Sequence, residues 1–269
     1  MGRKNYSNSR DKMTPGPKNS KREKQQDERS FREVSNVYVN REPLKGLNRK
    51  QTEYINVIKN SSIVVALGPA GTGKTYIPSV LGTDWLGDPS NVIRRIVVIR
   101  PPEGPGKSMG YLPGGLEEKL KVWAAPILSA VQARLGGGFY AKEQVDKMIE
   151  HGVIQLLSLE HIRGLSMDNS LIILDEAENC TWHEIKAVLT RLGKDTKLII
   201  SGDINQKDIR GESGLNKLIE LSKNQPLNDD IMGTTFAPLP WKVVTFDVDD
   251  IVRSPLVKQL IQLFDKEGI

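Results

Sequence analysis

Six short apolar runs punctuate the chain, at residues 63–67, 95–99, 153–157, 171–174, 197–200 and 243–246. Most are rich in Val, Ile and Leu and end in polar residues or glycine, the pattern of a strand buried on both faces. Between them, apolar residues recur at helical spacing. Tyr54, Ile55 and Ile58 mark a helix that begins after residues 47–51. A second helix runs from Lys74 to about Leu86, with Pro78 inside it at the cost of a hydrogen bond or a bend near its start. Residues 116–135 form a long helical stretch, with Leu120, Trp123, Ile127, Leu128 and Val131 toward one side. Pro126 kinks it, and Gly136-Gly137-Gly138 ends it. A short helix over 142–150 follows. Thr181 and Glu184 make a capping box for a helix that buries Ile185, Val188, Leu189 and Leu192 and stops at Gly193. Another helix covers 213–221. A last one opens at 250–255 and carries Val257, Leu260, Ile261 and Phe264 on its stripe. Strands that alternate with helices in this way predict an α/β domain.

The ends and connections read differently. Residues 222–242 are a polar, proline-containing connection. Residues 31–46, with Val34, Val37, Tyr38 and Val39, read as an N-terminal strand or arm, and 47–269 as one domain. Residues 1–30 hold nine Lys and Arg against four acids, a net +5 that equals the formal charge of the whole chain. The basic character therefore lies in a tail that is nearly free of apolar residues, and such a tail is expected to be disordered. Two readings of it stand: a nonspecific hold on nucleic-acid phosphates, or a solubilising tail.

Composition excludes several classes. With a single cysteine, Cys180, there is neither an intramolecular disulfide nor a cysteine-rich metal site; it reads as a small, half-buried residue. The three histidines are scattered, and His183 fits the surface of a first helical turn. No apolar run reaches bilayer length and no signal-peptide core opens the chain, so the expected location is the cytoplasm, with no membrane partner.

The first chemical signal follows the run at 63–67. Gly68-Pro69-Ala70-Gly71-Thr72-Gly73-Lys74-Thr75 matches G-x-x-x-x-G-K-[ST] in full. The glycines let backbone N–H groups curl around a phosphate, and the helix that follows favours negative charge at its N-terminus. Lys74 is placed to reach the β- and γ-phosphates, and Thr75 to hold Mg²⁺. Gln51, shortly upstream, carries an amide able to pair with an adenine edge. The second signal is Asp175-Glu176 after the run at 171–174: carboxylates at the end of a buried strand, Asp175 to orient Mg²⁺ and Glu176 to polarise water. The polar cluster at 201–206 offers Gln206 as an amide for the γ-phosphate or the water. Residues 103–108 end in Gly-Lys-Ser, but Pro101 stands at the first glycine position, so this is a decoy and reads as a loop. Arg100 and Lys107 there, and Arg163 after the run at 153–157, are candidates for nucleic-acid or subunit contact. Arg253, at the junction before the last helix, could act as an arginine finger or as a cap.

In order along residues 47–265, these strings resemble the PhoH-like family of ATPases, most closely the short forms of bacteriophages. They are GPAGTGKT, Arg100-Pro101, Gly110-Tyr111-Leu112-Pro113-Gly114, LEEKL at 116–120, Ile162-Arg163-Gly164, LDEAEN at 174–179, LTRLG at 189–193, SGD with Gln206 and Asp208, SGL at 213–215, and Ile251-Val252-Arg253 with Pro255-Leu256-Val257. Two positions depart from the family: Glu178 where Gln is common, and Gly115 where Asp is common. The resemblance implies a RecA-like P-loop NTPase, a three-layer αβα sandwich with a mostly parallel sheet in which the strand of Ser201 lies between those of Gly68 and Asp175. It also implies ATP and Mg²⁺ as ligands and hydrolysis by Lys74, Thr75, Asp175, Glu176 and Gln206, with Gln51 reading adenine. Arg253 would be supplied in trans by a neighbouring copy, in a homo-oligomer such as a hexameric ring, acting on or with RNA or single-stranded nucleic acid. Two other functions compete with this ATPase: an ATP-driven helicase or translocase, and a nucleotide-gated scaffold that recruits nucleases without turnover.

Overall fold

The computed structural model describes residues 42–101, 116–162, 164–223 and 240–253, together with 256, 259, 260 and 263. The basic tail, Lys107, Arg163, Gly115 and most of the expected last helix lie outside the described residues.

Six strands form one parallel sheet: β1 (Ile63–Leu67), β2 (Arg95–Ile99), β3 (Ile154–Leu157), β4 (Ser170–Leu174), β5 (Lys197–Gly202) and β6 (Trp241–Thr245). Their order is β3-β2-β4-β5-β1-β6, so the strand of Ser201 does lie between those of Gly68 and Asp175. The side-chain period of two splits each strand between two cores. Val64 and Ala66 of β1 pack into one core, while Ile63, Val65 and Leu67 pack into the other. The first core is closed by α1 (Arg49–Asn60), α2 (Tyr76–Leu86), α4 (Ala125–Arg134) and α5 (Gly138–Glu150). The second is closed by α6 (Trp182–Leu189) and α7 (Gly214–Lys223). With α3 (Leu116–Trp123), seven α-helices are present among the described residues. The result is a three-layer αβα sandwich of the RecA-like P-loop type. β1 and β4 are buried along their whole length, whereas the edge strand β6 is mostly open to solvent.

Several boundaries differ from the sequence pattern, each for a local reason. The helix after the phosphate loop begins at Tyr76 rather than Lys74, which places Pro78 in its first turn, where a missing N–H costs least. The carbonyl of Lys74, which a residue at 78 would otherwise bond, accepts the Tyr54 hydroxyl at 3.0 Å instead. Residues 116–135 are two helices rather than one kinked helix: the chain breaks at Ala124, and Pro126 lies in the first turn of α4. α5 starts at Gly138, before the expected Lys142, and β6 starts at Trp241. α6 ends at Leu189, a turn before Gly193, because Leu192 bridges to Met167. Cys180 is fully buried, not half-buried. The capping box of Thr181 and Glu184 forms as expected, and His183 is exposed. Lys197 donates to the carbonyls of Ile58, Lys59 and Ser61 at 2.8–3.1 Å, capping α1 from the neighbouring strand.

No helix among the described residues is long and apolar enough to cross a membrane.

Candidate active site

In a parallel sheet every strand ends on the same edge, and ligands settle where the strand order reverses. Residues far apart in sequence therefore meet beyond the carboxyl ends of β1, β4 and β5. They line a cavity of about 650 Å³ that includes Gln51, Lys74, Thr75, Asp175, Glu176, Asp203, Gln206 and Arg253. That volume suits a ligand of nucleotide size.

The loop between β1 and α2 is folded by its own polar groups. The Thr72 hydroxyl donates to the carbonyl of Pro69 at 3.0 Å. Lys74 donates to the carbonyls of Gly68 and Pro69, at 2.5 and 2.8 Å, so its ammonium lies curled inside the loop. Burial pulls its pKa below the usual lysine range, while Asp203, Asp175 and Glu178 push it back up. A cation held in a partly desolvated nest is a strong partner for an incoming polyphosphate.

The register of the sheet sets the acids opposite this loop. Asp175 follows β4, and its Oδ1 accepts hydroxyls from both Thr75 and Ser201 at 2.8 Å. A Thr hydroxyl and a carboxylate are hard oxygen donors, the chemistry of a Mg²⁺ site completed by substrate phosphates and water. Thr75 and Asp175 are the residues that would hold that ion. Among the described residues no three acids or histidines converge as a metal cage.

Glu176 adopts a left-handed backbone, φ 54° and ψ 43°, which is rare for a side chain other than glycine and turns it away from the strand direction. Its carboxylate ion-pairs with Arg100. Arg100 also donates to the carbonyl of Trp123, the last residue of α3, at 2.7 Å. Arg100 thus has a use within its own chain. It follows β2, where Ile99 pairs with Leu174, so it emerges beside the acids and grips Glu176.

Gln51 also has a use not foreseen. Its amide N–H donates to the carbonyl of Thr72 at 2.9 Å, and its oxygen accepts the N–H of Leu47 at 2.9 Å. The side chain is buried and braces the phosphate loop through one bond at each end of the amide. Gln206 is exposed and donates to Asp203 at 2.8 Å. Arg253 lies against Gly71 of the same chain.

Three polar residues of the site carry no distinct signal along the chain. Asp203 and Ser201 sit in the polar cluster after β5, where Asp203 holds Gln206 and Ser201 holds Asp175. Glu178, whose role the departure from the family pattern left open, is buried at the cavity wall, and its Oε2 has no hydrogen-bond partner. A Cβ on Gly202 would meet that oxygen at 2.6 Å. Burial, above all, pushes the Glu178 carboxyl up to about 7, with Asp175 and Asp203 adding to it, against backbone N–H groups at Glu178 and Asp203 that pull it down. An acid with a raised folded pKa destabilises the fold as pH rises from its ordinary value of 4.5 toward 7, and the penalty is complete above that window. The shift corresponds to about 3 kcal/mol. Glu178→Gln should therefore raise the melting temperature at about pH 8 and leave it nearly unchanged at about pH 4. Thermal melts at the two pH values check this; an equal gain at both would rule out ionisation as the cause.

Comparison with known proteins agrees with this geometry. The family model described as PhoH-like protein matches residues 43–265. A PhoH-like protein of Bacillus subtilis (strain 168) is 36% identical over 220 residues, covering 81% of this chain and 63% of the relative. One from Synechocystis sp. is 32% identical over 219 residues, with 81% and 61% covered. Protein PhoH of Escherichia coli (strain K12) is 31% identical over 224 residues, with 82% and 58% covered. The match thus spans between 58% and 63% of the length of these relatives. With its complete phosphate loop facing two strand-end acids on a parallel sheet, the chain belongs to the PhoH-like family, a P-loop NTPase-like family.

Proposed function

We propose that the chain is a Mg²⁺-dependent ATPase that hydrolyses ATP to ADP and phosphate, with turnover coupled to RNA or single-stranded nucleic acid. One observation carries the hydrolytic part. The Thr75 hydroxyl and the Asp175 carboxylate are 2.8 Å apart, and Glu176 follows directly at the same cavity wall. A bound Mg²⁺ supplies charge neutralisation on the phosphates. The protein does the rest. Lys74 leaves its loop carbonyls for the β- and γ-phosphates, and Gln206, steadied by Asp203, faces the reacting end. Glu176 accepts a proton from the water that attacks the γ-phosphorus as the bond to the β,γ-bridging oxygen breaks. Arg100 keeps the Glu176 carboxylate oriented.

Coupling to nucleic acid rests on the basic tail, whose net +5 makes it a phosphate-binding segment. The test is steady-state ATP turnover with and without single-stranded RNA, at low and high salt, on the full chain and on a chain lacking residues 1–30. RNA stimulation that fades with salt and with loss of the tail supports the reading. Turnover indifferent to RNA in every arm removes the coupling, and no turnover at all removes the enzyme.

A further inference from the structure

The family resemblance implies that Arg253 is supplied in trans by a neighbouring copy. The path of the chain after β6 argues otherwise. β6 pairs with β1 in parallel, Leu67 opposite Thr245, so the two strands leave the sheet together, β1 into the phosphate loop and β6 beside it. The N–H of Phe246 donates to the carbonyl of Leu67 at 2.7 Å, extending the ladder by one step. The Phe246 ring is buried edge-on to Tyr54, with centroids 5.3 Å apart. A short turn, Val248–Asp250, follows, and Asn48 donates to the carbonyl of Asp250 at 3.1 Å. Ile251 is buried, and the N–H of Val252 donates to the carbonyl of Gly71 at 3.1 Å. The next residue is Arg253. Its side chain lies directly over Gly71, where a Cβ would come within 2.8–3.0 Å of its Nε, Cδ and Cγ. At φ +85° Gly71 is also a backbone position that disfavours any side chain. Among the described residues no protein hydrogen bond or ion pair engages the Arg253 guanidinium, which lines the same cavity as Lys74.

We infer that Arg253 is the phosphate-contacting arginine of its own chain, acting in cis. The inference rests on the ATP-binding reading above and replaces the trans arginine. A backbone tied down at Leu67, Asn48 and Gly71 sets the stem of Arg253 over its own loop, with the exposed guanidinium beside the cavity, where a cation can stabilise developing phosphoryl charge. Gly71 is the seat for the arginine stem as much as a turn residue. Any assembly into a ring then answers to the nucleic acid and is not required to complete the nucleotide site.

The test is complementation. Lys74→Ala and Arg253→Ala chains are co-expressed with different tags, and hybrids are purified through both. If Arg253 acts in cis, no site in the hybrid holds both groups, and turnover stays at the level of the two variants alone. Turnover recovered to a sizeable fraction of wild type, or carried by Arg253→Ala alone at the wild-type rate, overturns the inference. Binding of a fluorescent ATP analogue with Mg²⁺ supplies a readout that needs no turnover. Arg253→Ala should weaken binding about tenfold, equally at low and high protein concentration, while Arg253→Lys recovers part of the loss. A loss seen only at concentrations where chains associate contradicts a cis contact, and so does wild-type affinity in Arg253→Ala. Failure of the wild-type chain to hydrolyse ATP would count against the enzymatic reading, while the binding arm still judges Arg253.

Discussion

Glu176→Gln is expected to cut ATP turnover by about a thousandfold while leaving ATP affinity within a few-fold of wild type. The substitution keeps the shape of the side chain. The amide oxygen still accepts from Arg100, so the left-handed turn at Glu176 and the contact between Arg100 and Trp123 survive. What is lost is the ability to take a proton. Asp175, Thr75 and Lys74 are untouched, so nucleotide still finds its phosphate loop. Single-turnover hydrolysis set beside equilibrium binding of a fluorescent ATP analogue checks both halves. Turnover within tenfold of wild type would move the general-base role to another group, and Glu178, buried close by, would be the first to examine.

Lys74→Ala has the opposite profile. ATP affinity should fall about a hundredfold or more, since a charged hydrogen bond is worth about 1.5–3 kcal/mol and Lys74 reaches two phosphates. The ammonium also closes the loop by holding the carbonyls of Gly68 and Pro69, so some order of the loop goes with it. The core is not involved, because the loop lies beyond the strand ends, and the thermal transition should stay cooperative. Binding measured beside a thermal melt distinguishes the two effects. Wild-type affinity in Lys74→Ala would mean that the cavity does not hold its ligand by the phosphates.

The two variants are expected to differ because the proposed mechanism uses their residues differently. In it Lys74 acts on ground state and transition state alike, so its loss would appear first in binding. Glu176 would act only as the water is deprotonated, so its loss would appear in turnover.

Much of this site is legible along the chain. A phosphate loop needs its residues consecutive, because one turn of backbone does the binding, and residues 68–75 declare it. The acids of the fourth strand are legible only beside that loop, since two carboxylates after an apolar run are a weak signal alone and a strong one downstream of a complete phosphate loop. The apolar runs become the strands because short β-branched runs flanked by polar residues suit a sheet covered on both faces, as β1 and β4 are, while β6, at the edge, stays mostly open. The amphipathic stretches become its helices for the matching reason. Local competition explains the misplaced boundaries: Pro78 fits a first turn better than a second, and Ala124 with Pro126 breaks a helix that periodicity alone continues.

What the chain order could not declare is which polar groups face each other across strands. Arg100 reads as a free cation until the pairing of Ile99 with Leu174 sets it beside Glu176. Gln51 reads as an adenine contact, and only the fold adds that its amide spans Leu47 and Thr72 as a brace of the phosphate loop. Glu178 becomes a buried acid only when the end of β5 closes over it at Gly202. Arg253 lies far from Gly71 in sequence, and only the placement of β6 beside β1 brings them into contact. The residue types and the chemistry they offer are thus set by the sequence alone, because a phosphate loop and a strand-end acid are local patterns. Which of those groups are free to act, and from which chain, is decided by tertiary structure, because partners are assigned by strand order and register, which no local pattern contains.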